Sequence, residues 1–202
     1  MNNLFLILSF SFIYSQIQFE EHTVTNTAID AYYVYAEDID NDGFIDILSA
    51  SRGDHKISWY KNNGTQSFIE NIVTLDAIHA HTVLAKDINN DGHMDIISAS
   101  RHYNNIIWFE NNNLSFIENI VTTDSFGEHI YIEDVDSDGD LDVLSASYFD
   151  HRVLWYENIN DEIFTEHEIS NNAVDAWSVY AIDMDNDNDI DVLSASNQDN
   201  KI

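Results

Sequence analysis

Asp134-Val-Asp-Ser-Asp-Gly-Asp-Leu-Asp142 runs directly into Val143-Leu-Ser-Ala-Ser147, and this stretch decides the fold because the chain repeats it. Its relatives begin at Asp38, Asp87 and Asp183, so successive copies start 49, 47 and 49 residues apart. Each is followed by Ile or Val, then Leu or Ile, then Ser-Ala-Ser. A fixed period of this length marks stacked modules, each one supersecondary unit, rather than a single wound domain.

Working outward from the first copy, β-branched and aromatic enrichment between polar turns predicts four short strands per module. They are Tyr32–Glu37, Asp46–Ser51, Ile57–Lys61 and a last strand beginning at Phe68. In the first strand Val34 and Ala36 share one face, and Tyr33 and Tyr35 the other. Trp59 recurs as Trp108 and Trp155, a spacing that reads as packing between modules. The small Ser49-Ala50-Ser51 allows close backbone approach, and Asn62-Asn63-Gly64 supplies a tight turn. Four-stranded modules at this period predict an all-β β-propeller. The repeats fall at 31–79, 80–126, 127–175 and 176–202, the last incomplete. Phe19–Val24 resembles the outer strands at Phe68–Val73, Phe116–Val121 and Phe164–Ile169, so 16–30 is expected to hold an orphan outer strand and linker. The absent end of the fourth repeat leads us to expect further blades or domains in a longer polypeptide.

With 7 basic and 37 acidic residues the net charge is -30, which argues against nucleic acid or anionic membrane as a partner, because phosphates would be repelled. No cysteine is present, so no disulfide holds the fold. Leu4–Tyr14 is an apolar run of eleven residues, too short to span a bilayer. With Ser15-Gln16 behind it, it reads as a signal peptide over residues 1–15, although Met1-Asn2-Asn3 brings no basic side chain. A secreted or cell-surface bacterial protein is expected.

The Asp-rich nonapeptides place carboxylates at positions 1, 3, 5 and 9 and a backbone carbonyl at position 7, hard oxygen donors that suit Ca²⁺. The first set is Asp38, Asp40, Asp42, the Phe44 carbonyl and Asp46; the second is Asp87, Asn89, Asp91, the His93 carbonyl and Asp95. The third is Asp134, Asp136, Asp138, the Asp140 carbonyl and Asp142; the fourth is Asp183, Asp185, Asp187, the Asp189 carbonyl and Asp191. Gly43, Gly92 and Gly139 allow the sharp turn at position 6, where the fourth loop has Asn188, the next most tolerant residue of left-handed backbone. Up to four calcium ions are expected. The loops are not EF-hands, because the position of the bidentate Glu is held by Ser49, Ser98, Ser145 and Ser194 inside strands.

Asp-x-Asp-x-Asp-Gly-x-x-Asp followed by Ile/Val-Leu-Ser-Ala-Ser resembles the FG-GAP-like/VCBS repeat family, over nearly the whole chain after the leader. The resemblance implies a calcium-bearing β-propeller similar to the head of integrin α subunits, with calcium between the first and second strands. It also implies a place among secreted bacterial adhesion and carbohydrate-active proteins.

If the Asp loops occupy one face, the opposite face carries the variable loops, with Arg52, Arg101, His102, Tyr103, Tyr148 and Phe149, and His79, His81, Glu128, His129 and Trp177 beside them. Aromatic rings with Arg and His suit a glycan or protein ligand. Arg52-Gly53-Asp54 spells an integrin-recognition tripeptide, but Asp54 aligns with Asp150 and Asp199, ahead of His55, Asn105, His151 and Asn200, and that column reads as turn chemistry. His79 and His81, two apart, could share a strand face as a weak transition-metal pair. No nucleophile–base order stands out, so a non-catalytic adhesion or ligand-binding module is favoured. The alternatives are a propeller-type polysaccharide lyase or other carbohydrate-active enzyme, and a scaffold within a large secreted protein.

Overall fold

The structure, a computed structural model, describes residues 18–65, 67–101, 104–125, 127–159 and 163–202. The expected leader at 1–15 lies outside them. Strands β1 (Ala31–Glu37), β2 (Asp46–Ser51), β3 (Lys56–Asn62) and β4 (Phe68–Thr74) form one antiparallel sheet in chain order. Next come β5 (Ala80–Lys86), β6 (Asp95–Ser100), β7 (Asn105–Asn112) and β8 (Ser115–Thr122). The third sheet holds β9 (Gly127–Glu133), β10 (Asp142–Ser147), β11 (Arg152–Ile159) and β12 (Ile163–Ser170), and the pair β13 (Ala176–Ile182) and β14 (Asp191–Ser196) follows. These are the blades of a β-propeller, three of four strands and one of two. Strand starts and ends agree with the sequence expectation to within a residue or two.

Each blade is apolar on both faces, and the core is the set of layers between blades. Leu48, Ala50, Ile57 and Trp59 of the first blade close on Val83, Ala85, Ile96, Ile107 and Phe109 of the second. Ile97, Ile106 and Trp108 then meet Ile130, Ile132, Val143, Leu154 and Tyr156 of the third. Leu144, Ala146 and Val153 meet Ala176, Val179 and Ala181. The tryptophans stitch these layers as expected: Trp59 lies edge-on to Phe116 of the next blade and Trp108 edge-on to Phe164, both with centroids 6.3 Å apart. The Ser-Ala-Ser segments of the first three blades are buried, and small size is needed there. A Cβ on Gly127 would come within 3.1 Å of Ala99 Cβ and 3.3 Å of Ser145 Oγ.

The expected outer strand at Phe19–Val24 is not formed: residues 18–30 carry no strand and Phe19 is 94% exposed. A lone strand gains its stability from an edge to pair with, and beside β14 only an isolated bridge, Ser196 to Lys201, is made.

The blades share one internal tie. The ninth residue of the Asp loop, Asp46, Asp95 or Asp142, is wholly buried. Its Oδ2 accepts the backbone N–H of loop position 2: Ile39 at 3.2 Å, Ile88 at 3.1 Å, Val135 at 3.0 Å. Its Oδ1 accepts the N–H of Asn62, Asn111 or Asn158 at 2.7 to 2.8 Å. The same asparagines donate their side-chain amides back to Ile45, Met94 and Leu141 carbonyls. In the first blade Trp59 Nε1 adds a donor to Asp46 at 2.9 Å. The carboxylate thus joins the Asp loop and the head of the second strand to the end of the third.

Removing it strands buried donors, each costing about 1–3 kcal/mol. Asp95→Ala is therefore expected to lower unfolding stability in metal-free buffer by about 3 kcal/mol, because the Ile88 and Asn111 N–H groups lose their acceptor. Asp91→Ala, at an exposed position, should cost much less; equal losses in urea unfolding would overturn the assignment.

Candidate functional site

The four Asp loops are copies in backbone as well as in sequence. Position 1 accepts the N–H groups of positions 5 and 6: Asp38 from Asp42 and Gly43, Asp87 from Asp91 and Gly92, Asp134 from Asp138 and Gly139, Asp183 from Asp187 and Asn188. Position 5 accepts the N–H of position 7, so Phe44, His93, Asp140 and Asp189 bond to Asp42, Asp91, Asp138 and Asp187 at 2.8 to 3.0 Å. Two residues in each loop are left-handed. One is position 6, where Gly43, Gly92 and Gly139 have φ of 90 to 102° and Asn188 has 75°, so the asparagine makes the same turn. The other is position 4: Asn41, Asn90, Ser137 and Asn186, at 55 to 63°.

This geometry gathers like charges. Carboxylate oxygens of Asp38, Asp40 and Asp42 lie within 4.8 Å of one another, as do those of Asp134, Asp136 and Asp142, and of Asp183, Asp185 and Asp191. The second loop, with Asn89 at position 3, brings no such triad together among the described residues. Burial pushes the Asp95 carboxyl up to about 6 and raises Asp142 as well, because desolvation disfavours the charged form. In the first loop Asp40, whose side chain is only 4% exposed, leaves its buried Oδ1 without a partner, while its Oδ2 and that of Asp42 meet the Lys61 ammonium. An oxygen-only donor set of this kind fits a hard divalent cation, and the residues that could hold one are those of the triads.

The opposite ends of the inner strands carry a second assembly. In every blade the inner strand takes one extra residue against its neighbour: the pairing skips Tyr32 in β1, His81 in β5, Glu128 in β9 and Trp177 in β13. Such a β-bulge re-aims its side chain out of the ladder. Here the four bulges face a common centre. Tyr32 and His81 rings are 4.4 Å apart, His81 Nδ1 is 2.9 Å from Glu128 Oε1, and Tyr32 donates its hydroxyl to the same oxygen at 3.3 Å. Arg101 brings Nε to 3.6 Å from Glu128 Oε2 and lies over the rings of Tyr148 and Phe149 at 4.8 and 4.3 Å. Tyr148 in turn meets Trp177 edge-on at 5.7 Å, and Arg52 covers Tyr32 at 4.9 Å.

A cavity of about 160 Å³ lies among Tyr32, Tyr33, His81, Thr82, Glu128, His129, Trp177 and Ser178. Tyr33, His129 and Ser178 also line a larger axial cavity of about 420 Å³, walled by Tyr35, Tyr131 and Tyr180. Burial pushes Glu128 up, yet His81, Arg101 and the Tyr32 hydroxyl together hold it below the ordinary range, so it is ionised. Burial lowers His129, which is neutral at pH 7. His81 Nε2, Glu128 Oε2 and His129 Nδ1 are buried without a hydrogen-bond partner.

The variable face predicted from sequence is therefore real for Arg52, Arg101, Tyr148, Phe149, His81, Glu128, His129 and Trp177. His102 and Tyr103 lie outside the described residues. His79 parts from His81: it precedes the strand and stacks on His55 at 5.5 Å, so the two form no metal pair. The left-handed turn column comprises His55, Asn104, His151 and Asn200, with φ of 55 to 60°. Asn105, expected there, instead opens β7. Arg52-Gly53-Asp54 is pinned to the segment before β1 by Arg52 N–H to Asp30 and Gly53 N–H to Ile29. Tyr32 escaped the sequence reading, although it stands one residue after the small residue that opens each inner strand, as do His81, Glu128 and Trp177.

No curated protein matches the chain. A solved lectin of Agrocybe aegerita, described as specifically recognising non-reducing terminal N-acetylglucosamine, superposes with a TM-score of 0.57 at 20% identity. The match covers 82% of this chain and 47% of that one, so the chain spans less than half the lectin's length, and the likeness is one of fold. The FG-GAP-like repeat profile matches three times, over residues 38–98, 87–145 and 134–194. Each match runs from one Asp loop to the first serine of the Ser-Ala-Ser segment of the next blade, and together they place the chain in the FG-GAP-like repeat family.

Proposed function

We propose that this protein is a secreted, non-catalytic glycan-binding β-propeller: the ring of bulge residues is its ligand site, and its Asp loops hold calcium. The observation that carries the reading is the convergence of Tyr32, His81, Glu128 and Trp177 around one cavity, from four blades, with buried polar atoms left unpartnered. Buried donors and acceptors are almost always satisfied, so unpartnered ones facing a cavity call for a polar ligand or ordered water. Exposed aromatic faces beside them offer stacking to the C–H surface of a sugar ring; Trp177 is 45% exposed and Tyr32 38%. The lectin of similar fold supports the glycan class.

Calcium is supported by the three carboxylate triads and by family membership. Bound calcium would neutralise the triads and rigidify the loops. At free calcium ten times a site's dissociation constant, each ion stabilises the fold by about 1.4 kcal/mol. Four ions bring the formal charge from -30 to -22. Export is supported by the apolar run at Leu4–Tyr14 and by the abundance of calcium outside cells.

Two measurements test this. A glycan array probed with the protein should show sugar-terminated ligands whose binding falls at least about tenfold in Trp177→Ala and in His81→Ala, with melting temperatures within a few degrees of the parent. Binding that survives both changes would sink the assignment of the ring. A chelator should lower the melting temperature by several degrees, reversed by calcium; an unaltered melt with no calcium in elemental analysis would refute the metal reading.

A further inference from the structure

Lys61 breaks the repeat. Two residues after the third-strand tryptophan the second and third blades carry Glu110 and Glu157, whereas the first blade carries lysine. The difference falls on the Asp loops. Lys61 Nζ reaches Oδ2 of Asp40 and lies 3.0 Å from Oδ2 of Asp42, the third and fifth positions of the first loop. In the third blade Glu157 is instead paired with His167 Nε2 at 2.6 Å. The same site in the blade thus supplies a cation to the first loop and none to the third.

We propose that Lys61 is a tethered cation for the first Asp loop: its ammonium holds Asp40 and Asp42 together without metal and competes with a divalent ion for them. The first loop is then self-sufficient, and calcium must compete with the ammonium to enter it. Competition is direct, because the two carboxylates that bind the ammonium are two of the three in the first triad. Asp40 is too buried for solvent to replace the ammonium, its side chain being 4% exposed, and its second oxygen has no other partner. An ammonium gives at most three donors along defined directions, while calcium accepts six to eight oxygens. Saturating calcium can therefore displace Lys61, whose side chain is 34% exposed and free to swing out.

The competition half rests on the calcium reading above; the tethering half does not, and two arms separate them. In chelator, Lys61→Met should melt several degrees below the parent, while Lys61→Arg, which keeps the charge, should recover most of the loss. In calorimetric titration with calcium, Lys61→Met should show one additional site, or one site tightened by at least about tenfold, given the removal of a full charge at contact distance. Lys61→Met that melts like the parent in chelator overturns the tether. A calcium isotherm unchanged by Lys61→Met, in a parent that binds calcium, overturns the competition. If no chain binds calcium yet Lys61→Met still loses stability in chelator, the tether stands and the calcium reading falls.

Discussion

A buried carboxylate is the constraint on which each blade depends. Asp46, Asp95 and Asp142 are wholly excluded from solvent, where an unpaired carboxylate would cost several kcal/mol. What offsets that cost is a fixed set of donors from segments far apart in the chain: one N–H from the Asp loop and one from the end of the third strand, with the Trp59 indole as a third in the first blade. A carboxylate that must satisfy separate segments also determines where they sit. It sets the mouth of the Asp loop, and the spacing from Trp59, Trp108 and Trp155 to Asn62, Asn111 and Asn158 follows from it. The tryptophan then faces the next blade, so the same tie that closes one module presents the surface that stacks it.

The β-bulge separates scaffold from recognition. Elsewhere on the second blade's inner strand the inter-blade core restricts the residue to what fits: Ala80, Val83 and Ala85 are wholly buried against the first blade. The bulged residue is released from pairing and turned toward the axis. Its backbone is the same in four blades, and its side chain is Tyr, His, Glu and Trp. One architectural device therefore gathers four chemistries at one point without disturbing any blade. The Asp loops lie at the other end of the same strands, at Asp38 against Tyr32 in the first. A metal held there would act on the fold as a whole, and its effect would reach the ring through blade rigidity rather than by contact.

Most of this was legible because the chain repeats. Four copies made the Asp loops, the strands and the inter-blade tryptophans visible, and Asn188 at φ 75° behaves as its tolerance of left-handed backbone requires. The misses have physical causes. Strand alternation assigns faces by a period of two, and one inserted residue breaks it, so the bulge at Tyr32 was hidden even though its neighbours Tyr33 and Tyr35 were placed together. Lys61 was read as an ordinary strand end because side-chain reach across a sheet has no local signature. Phe19–Val24 has the composition of an outer strand, but composition supplies no pairing edge. The turn column holds Asn104 rather than Asn105, since it stands four residues before Trp108 as His55 and His151 stand before Trp59 and Trp155, and the repeat spacing already marks it.

Charge pairing within the ring narrows the class of ligand further. The chain is strongly acidic, yet Arg52 and Arg101 stand beside the cavity, which by itself would suggest an anionic ligand. Both are already committed. Arg52 is bonded to Asp30 at 2.8 Å and covers Tyr32; Arg101 faces Glu128 and is held over Tyr148 and Phe149. Glu128 is likewise committed to His81 and Tyr32. Opposite charges held this close cancel one another's field, and an incoming carboxylate would have to displace one already in place. What stays open is hydrogen-bonding capacity at His81 Nε2 and His129 Nδ1, and at Glu128 Oε2 and Arg101 Nε, which share an ion pair at 3.6 Å but no hydrogen bond, with aromatic faces beside them. A cavity whose charges are paired with one another and whose ring nitrogens keep open hydrogen-bonding positions suits hydroxyl and amide groups, the chemistry that the proposed sugar ligand would present.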